Sequence, residues 1–178
     1  MFEGRIIYFV ASSVDGFIAR RDGSIDWLFH DQDYGFSEFF ENIKTVVQGR
    51  KTYEQVLTFG EYPYKSKENF VFSRTLTSCE HAELIDTSVA EFAETQRQRS
   101  GGDIWVVGGG ALASAFLSAG VVDEVSVFVH PILLGDGLPL SPSLQHDVRL
   151  MLTDSNVFDT GLVELKYQVV DGSTCEKS

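Results

Sequence analysis

Residues 103–120, DIWVVGGGALASAFLSAG, constrain the fold more than any other stretch of this chain. An apolar, β-branched run ends in three glycines and passes at once into an alanine-rich helix pattern. A strand buried on both faces and followed by a crossover helix reads this way. Gly108, Gly110 and Ala113 also match the G-x-G-x-x-A spacing of dinucleotide-binding turns, although a tight turn needing positive φ would use the same glycines.

The same alternation fills the first two thirds of the sequence. RIIYFVAS (5–12) reads as a central strand. Residues 13–35 hold two Asp-Gly pairs and read as a long loop broken by turns or a small hairpin, kept ordered by Phe17, Ile18, Ile25, Trp27 and Leu28. FSEFFENI (36–43) has helical spacing and yields to a short strand at 45–48. Gly49 opens a helix whose apolar face is Tyr53, Val56 and Leu57. Strands follow at 68–75 and 82–85, and Ser88 with Glu91 forms a capping box for a helix to about Arg99. Strand 103–107 and helix 110–119 complete this part. Then the character changes: 122–135, 148–158 and 161–170 are strand-like with little helix between them, and strands joined by short turns run antiparallel. The expected fold is α/β, with helices on both faces of the sheet and an antiparallel C-terminal edge.

A length of 178 residues, 43% of them apolar, supports one sizeable core, so residues 1–172 read as a single domain and 173–178 as a frayed tail. The net charge of −12 excludes nucleic acid and anionic membrane as natural partners. Any anion must be held by a local device. Cys79 and Cys175 are far apart in sequence and read as free thiols, the four histidines are scattered, and no metal is expected. No signal-like or membrane-spanning run is present, so a cytoplasmic protein is expected.

Three strand ends supply the local device. In a parallel sheet the turns QGRKT, SRT and VGGGA lie along one edge. Two of them start helices, whose free N–H groups favour anions, and Arg50, Lys51 and Arg74 add positive charge. A Rossmann arrangement fits poorly. Its glycines belong in the first βα turn, with an acid ending the next strand, whereas here the glycines come late and His130 stands where the acid should be.

With IIYFVASSVDGFIA, DGSIDWL, VVQGRKTYE, FVFSRT and VVGGGALASAFLSAGVVDEVSVFVHPILLGDGLPL in this order, the chain resembles the dihydrofolate-reductase-like superfamily. It is most similar there to the RibD C-terminal reductase family of riboflavin biosynthesis, over about residues 5 to 170. The resemblance implies a three-layer α/β/α fold around a mostly parallel eight-stranded sheet. It also implies an NADPH-dependent reductase of a pyrimidine- or pteridine-like heterocycle, such as an aminopyrimidine ribosyl phosphate, and a homodimer. By position, Gly49, Arg50, Lys51 and Thr52 match the family's phosphate turn, and Ser73 and Arg74 match the strand end holding the adenosine 2′-phosphate. Gly108, Gly109, Gly110 and Ala111 match the pyrophosphate turn, Ala11 the residue whose backbone meets the carboxamide, and Trp27 the mobile-loop tryptophan. Gln48 and Ser141 depart from the family's usual Met and Phe.

Reduction by hydride also needs a proton donor. Dihydrofolate reductases carry an acid on the first helix, but the matching place here is Gly35 or Phe36. Asp33, closest to the helix start, is the expected substitute, with Asp26, Asp31 and Glu38 as rivals and an ordered water as another route. A folate or pterin reductase and an NADPH-binding module without turnover remain alternatives.

Overall fold

Strands and helices are interspersed up to residue 118, and only strands follow among the described residues. In the computed structural model, which describes residues 4–170, the elements are β1 (Ile6–Ser13), β2 (Phe17–Ala19), α1 (Phe36–Asn42), β3 (Ile43–Gly49), α2 (Arg50–Leu57), β4 (Glu68–Phe72) and β5 (Glu83–Ile85). They continue as α3 (Val89–Ser100), β6 (Asp103–Gly108), α4 (Gly110–Ser118), β7 (Glu124–His130), β8 (Leu138–Pro139), β9 (Arg149–Val157) and β10 (Val163–Val170). The tail expected at 173–178, with Cys175, lies outside the described residues.

Eight strands form one sheet in the order β5-β4-β3-β6-β1-β7-β10-β9. The strands from β5 to β7 are parallel to their neighbours, and β10 is antiparallel to both β7 and β9. The sheet is thus mostly parallel with an antiparallel edge. One face carries Ile6, Tyr8, Val47, Phe70 and Val106 against Phe92 of α3 and Phe116 of α4. On the other face, Phe9, Val46 and Trp105 pack with Phe39 and Phe40 of α1, while Val71 packs with Tyr53 and Val56 of α2. Alternation along each strand explains both layers: consecutive residues such as Tyr8, Phe9 and Val10 face opposite sides, and both sides are covered.

Several boundaries follow directly from local chemistry. Ser88 accepts a hydrogen bond from the Glu91 N–H, and Gly101 ends α3 in the left-handed region, as the capping pattern predicts. α1 differs from expectation because it ends at Asn42, and Ile43 already belongs to β3. Ile43 satisfies both periodicities, and burial beside Trp105 and Val46 decides for the strand.

Residues 13–35 also differ from a self-contained hairpin. The turn at Asp22–Gly23 forms, with Arg20 N–H bonded to Ser24 O, but β2 pairs with β8 from the far end of the chain. Two contacts fix this pairing. The Asp15 carboxylate accepts from Ser13 Oγ–H and from the N–H groups of Leu134 and Gly135, which hold its pKa below the usual carboxylate range. A Cβ on Gly137 would strike Ala19 O, so only glycine lets the 132–140 segment lie against β2.

Candidate functional site

In a sheet of parallel strands the C-terminal ends share an edge, and this one collects the three turns singled out in the sequence. β3 ends at Gly49 and feeds α2, β6 ends at Gly108 and feeds α4, and β4 ends just before Ser73 and Arg74. β4, β3 and β6 are neighbours, so the turns are adjacent. A Cβ placed on Gly49 would lie 3.7 Å from Gly108 O, and one on Gly109 would lie 3.5 Å from Thr52 Oγ1. The first turns of α2 and α4 therefore converge.

Neither helix start has a side-chain cap, so its N–H groups point toward this junction without a protein acceptor from the cap position. Gly108 has φ +111°, and the Gly108–Gly109 peptide is cis. A Cβ on Gly110 would collide with Pro139 O and come within 2.9 Å of Pro142 Cδ. Backbone conformation and packing thus explain Gly108 and Gly110, but Gly109 has an ordinary φ of −67° and only Thr52 near its Cβ direction. A side chain there would instead fill the junction.

The charges are arranged around this junction. Arg50 pairs with Glu54 one turn along α2 at 2.9 Å, while Lys51, Arg74 and Ala111 are exposed. Ser73 Oγ accepts the N–H groups of Thr75 and Leu76, which shapes the turn and leaves its hydroxyl hydrogen to donate elsewhere. The donor set suits a pyrophosphate and a further phosphate: two uncapped helix starts, a glycine cradle, and cations on an acidic chain.

Beyond β6 along the same edge lies a cavity of about 300 Å³. Its floor is Phe9 and Ala11 of β1 with Phe128 and His130 of β7. Phe36 of α1, Phe29, Asp33 and Tyr34 enclose it from the helix and loop side. Ala11 thus joins the cavity to the phosphate-type turns. Trp27 is placed one layer behind: 7% exposed, it packs edge-on against His130 at 5.2 Å, and its Nε1–H has no partner among the described residues.

The acid candidates separate clearly. Asp33 lines the cavity, and its carboxylate accepts the Ser37 N–H at 3.1 Å and the Ser37 hydroxyl at 2.7 Å. Asp26 is paired with Arg20 at 2.6 Å, which holds its pKa below the usual range and keeps it ionised. Asp31 is exposed and accepts from Tyr34 Oη at 2.7 Å. Glu38 is exposed in α1 and does not line the cavity.

In the sequence His130 reads first as the end of a strand, with a functional role as the alternative, and the structure makes it part of the cavity wall. Its Nε2 accepts the Phe29 N–H at 3.2 Å, so the ring proton sits on Nδ1 and donates to Phe128 O at 3.1 Å. Burial is the main cause holding its pKa below 6.5, with repulsion from His30 as a smaller one. A folded pKa below the unfolded value gives stability that is full above pH 6.5 and lost as pH falls. The melting temperature should therefore fall on acidification below about pH 6.5, and part of that dependence should vanish in His130→Gln; equal pH profiles for the two proteins would contradict the assignment.

A larger open depression, about 560 Å³, lies at the opposite edge of the sheet beside Lys44, Lys67 and Gly102. Its cations are engaged: Lys44 with Glu68, Lys65 with Glu61, and Lys67 with Phe40 O and ring. It carries no convergent chemistry. Among the described residues no His/Cys/Asp/Glu cluster could hold a metal, and no helix is long and apolar enough to cross a membrane.

Comparison with known proteins places the chain's family and fold. The profile of the RibD C-terminal domain family matches residues 5–164. The uncharacterized protein YyaP of Bacillus subtilis is 33% identical, over 93% of this chain and 95% of its own length. A crystal structure of a putative riboflavin biosynthesis protein from Shewanella is 29% identical with a TM-score of 0.85, covering 94% of this chain and 99% of that one. Dihydrofolate reductase from Enterococcus faecalis shares the fold at 19% identity with a TM-score of 0.71, covering 96% of this chain and 99% of the other.

Proposed function

Because the chain belongs to the RibD C-terminal domain family, we propose that it is an NADPH-dependent reductase of a pyrimidine- or pteridine-like heterocycle. The observation that carries this reading is the order of features along one sheet edge: phosphate-type turns at the ends of β4, β3 and β6, then an aromatic cavity at the ends of β1 and β7. Arg74 and Ser73 would hold the 2′-phosphate, and the starts of α2 and α4, with Arg50, Lys51, Thr52 and Gly109, the pyrophosphate. Ala11 would meet the carboxamide by its backbone. The cofactor, when bound, supplies a hydride.

The residues of this chain do the rest. Phe9, Phe36 and Phe128 hold a flat ring and exclude water, which strengthens every polar interaction inside the cavity. Asp33 moves the proton that reduction requires. His130 keeps Phe29 over the cavity through the Phe29 N–H bond. The test is turnover: purified protein should oxidise NADPH in the presence of a reducible pyrimidine or pteridine. Binding of NADPH without consumption across such a panel would favour a nucleotide-binding module.

A homodimer is part of the proposal. β9 forms the sheet edge, all nine of its residues are exposed, and Leu150, Met151 and Leu152 are among them. A long apolar edge of this kind is ordinarily covered. Light scattering of the purified protein should give twice the chain mass, and Leu150→Lys with Leu152→Lys should shift it to the monomer; a monomeric parent protein would refute this.

A further inference from the structure

The walls of the cavity bear on the class of substrate, provided the reductase reading above holds. Phe9, Phe36 and Phe128 present flat apolar surfaces, and Phe29 closes the loop side. A volume of about 300 Å³ is at the small end of ligand sites, enough for a planar ring system with short substituents. Among the described residues no lysine or arginine lines it.

The polar groups present do not replace a cation. His130 commits both ring nitrogens, one to Phe128 O and one to the Phe29 N–H, and burial keeps it neutral. From the adjoining loop His30, Gln32, Asp33 and Tyr34 line the cavity, with one carboxylate and no fixed positive charge. The Ser37 N–H in the first turn of α1 is already bonded to the Asp33 carboxylate, so it is not offered to an anion. Arg20 and Arg21, the cations of the preceding loop, are paired with Asp26 and Asp136. A phosphate on a ligand seated here would thus meet the Asp33 carboxylate, and like charges facing each other reject a partner. An amino substituent would find acceptors instead.

We propose that this site takes an unphosphorylated planar nitrogen heterocycle, with donor groups directed to Asp33 and Gln32, and discriminates against the ribosyl phosphates that the family resemblance suggests. Among the described residues, the donors suited to phosphate gather at the turns that follow β3, β4 and β6.

The experiment is a pair of calorimetric titrations on protein saturated with NADP⁺, so that no turnover occurs, using 5-amino-6-(ribosylamino)uracil and its 5′-phosphate. The unphosphorylated compound should bind at least about tenfold more tightly. Gln32→Arg, which replaces an acceptor of the cavity wall with a cation, should strengthen binding of the phosphate form and weaken that of the unphosphorylated one. Equal or tighter binding of the phosphate by the parent protein would overturn the inference, as would indifference of its affinity to Gln32→Arg or failure of both compounds to bind the NADP⁺ complex. Failure of the cofactor itself to raise the melting temperature is a different result, and it would remove the reductase reading first.

Discussion

Gly109→Val should leave the protein folded and abolish NADPH binding, whereas Gly110→Ala should destabilise the fold. The two residues are adjacent in one turn, yet their surroundings differ. At Gly109 φ is −67° and the Cβ direction meets only Thr52 Oγ1 at 3.5 Å, an ordinary contact. At Gly110 the added carbon would run into the carbonyl oxygen of Pro139, backbone that cannot swing aside. Overpacking of this kind costs about 1–3 kcal/mol. Loss of cofactor binding at Gly109 is read from melting curves: the parent protein should gain about 2.7 kcal/mol at a hundredfold excess of NADPH over its Kd, and the variant nothing. A folded Gly109→Val protein that still responds to NADPH would show that this glycine serves the turn alone.

Asp33→Asn should lower turnover by about 10²-fold, reducing kcat and kcat/KM together, with NADPH affinity nearly unchanged. Asparagine retains an oxygen to accept both bonds that Ser37 makes to Asp33 Oδ1, so the approach to α1 keeps its geometry. What it loses is the transferable proton. Asp26→Asn should have little effect on chemistry, because that carboxylate is exposed and paired with Arg20. An indifferent Asp33→Asn with a damaging Glu38→Gln would move the role to α1, and indifference of all three would favour an ordered water.

The sequence makes the βα units legible because each carries its own local signal. The 103–120 stretch has an apolar run, glycines and an alanine-rich helix in order, and Ser88 with Glu91 marks a helix start by its own hydrogen bond. Pairings between distant short segments carry no such signal. β2 and β8 span three and two residues and are joined through Asp15 and the glycine at 137, which no periodicity could foresee. The phosphate-type turns could be read because glycines and cations sit at strand ends. The cavity could not, since it draws Phe9, Phe36, Phe128 and Leu162 from four separate places, and each of them reads alone as core. His130 shows the same limit: a histidine before proline marks a strand end, and only the fold brings it to Phe29 and Trp27.

The central claim is that this edge of the sheet binds a dinucleotide carrying a 2′-phosphate, and calorimetric titration of the same protein with NADPH and with NADH tests it most directly. NADPH should bind at least about tenfold more tightly, a difference of about 1.4 kcal/mol, and Arg74→Ala should erase the difference by weakening NADPH alone. Equal affinities in the parent protein, or a preference that survives Arg74→Ala, would contradict it.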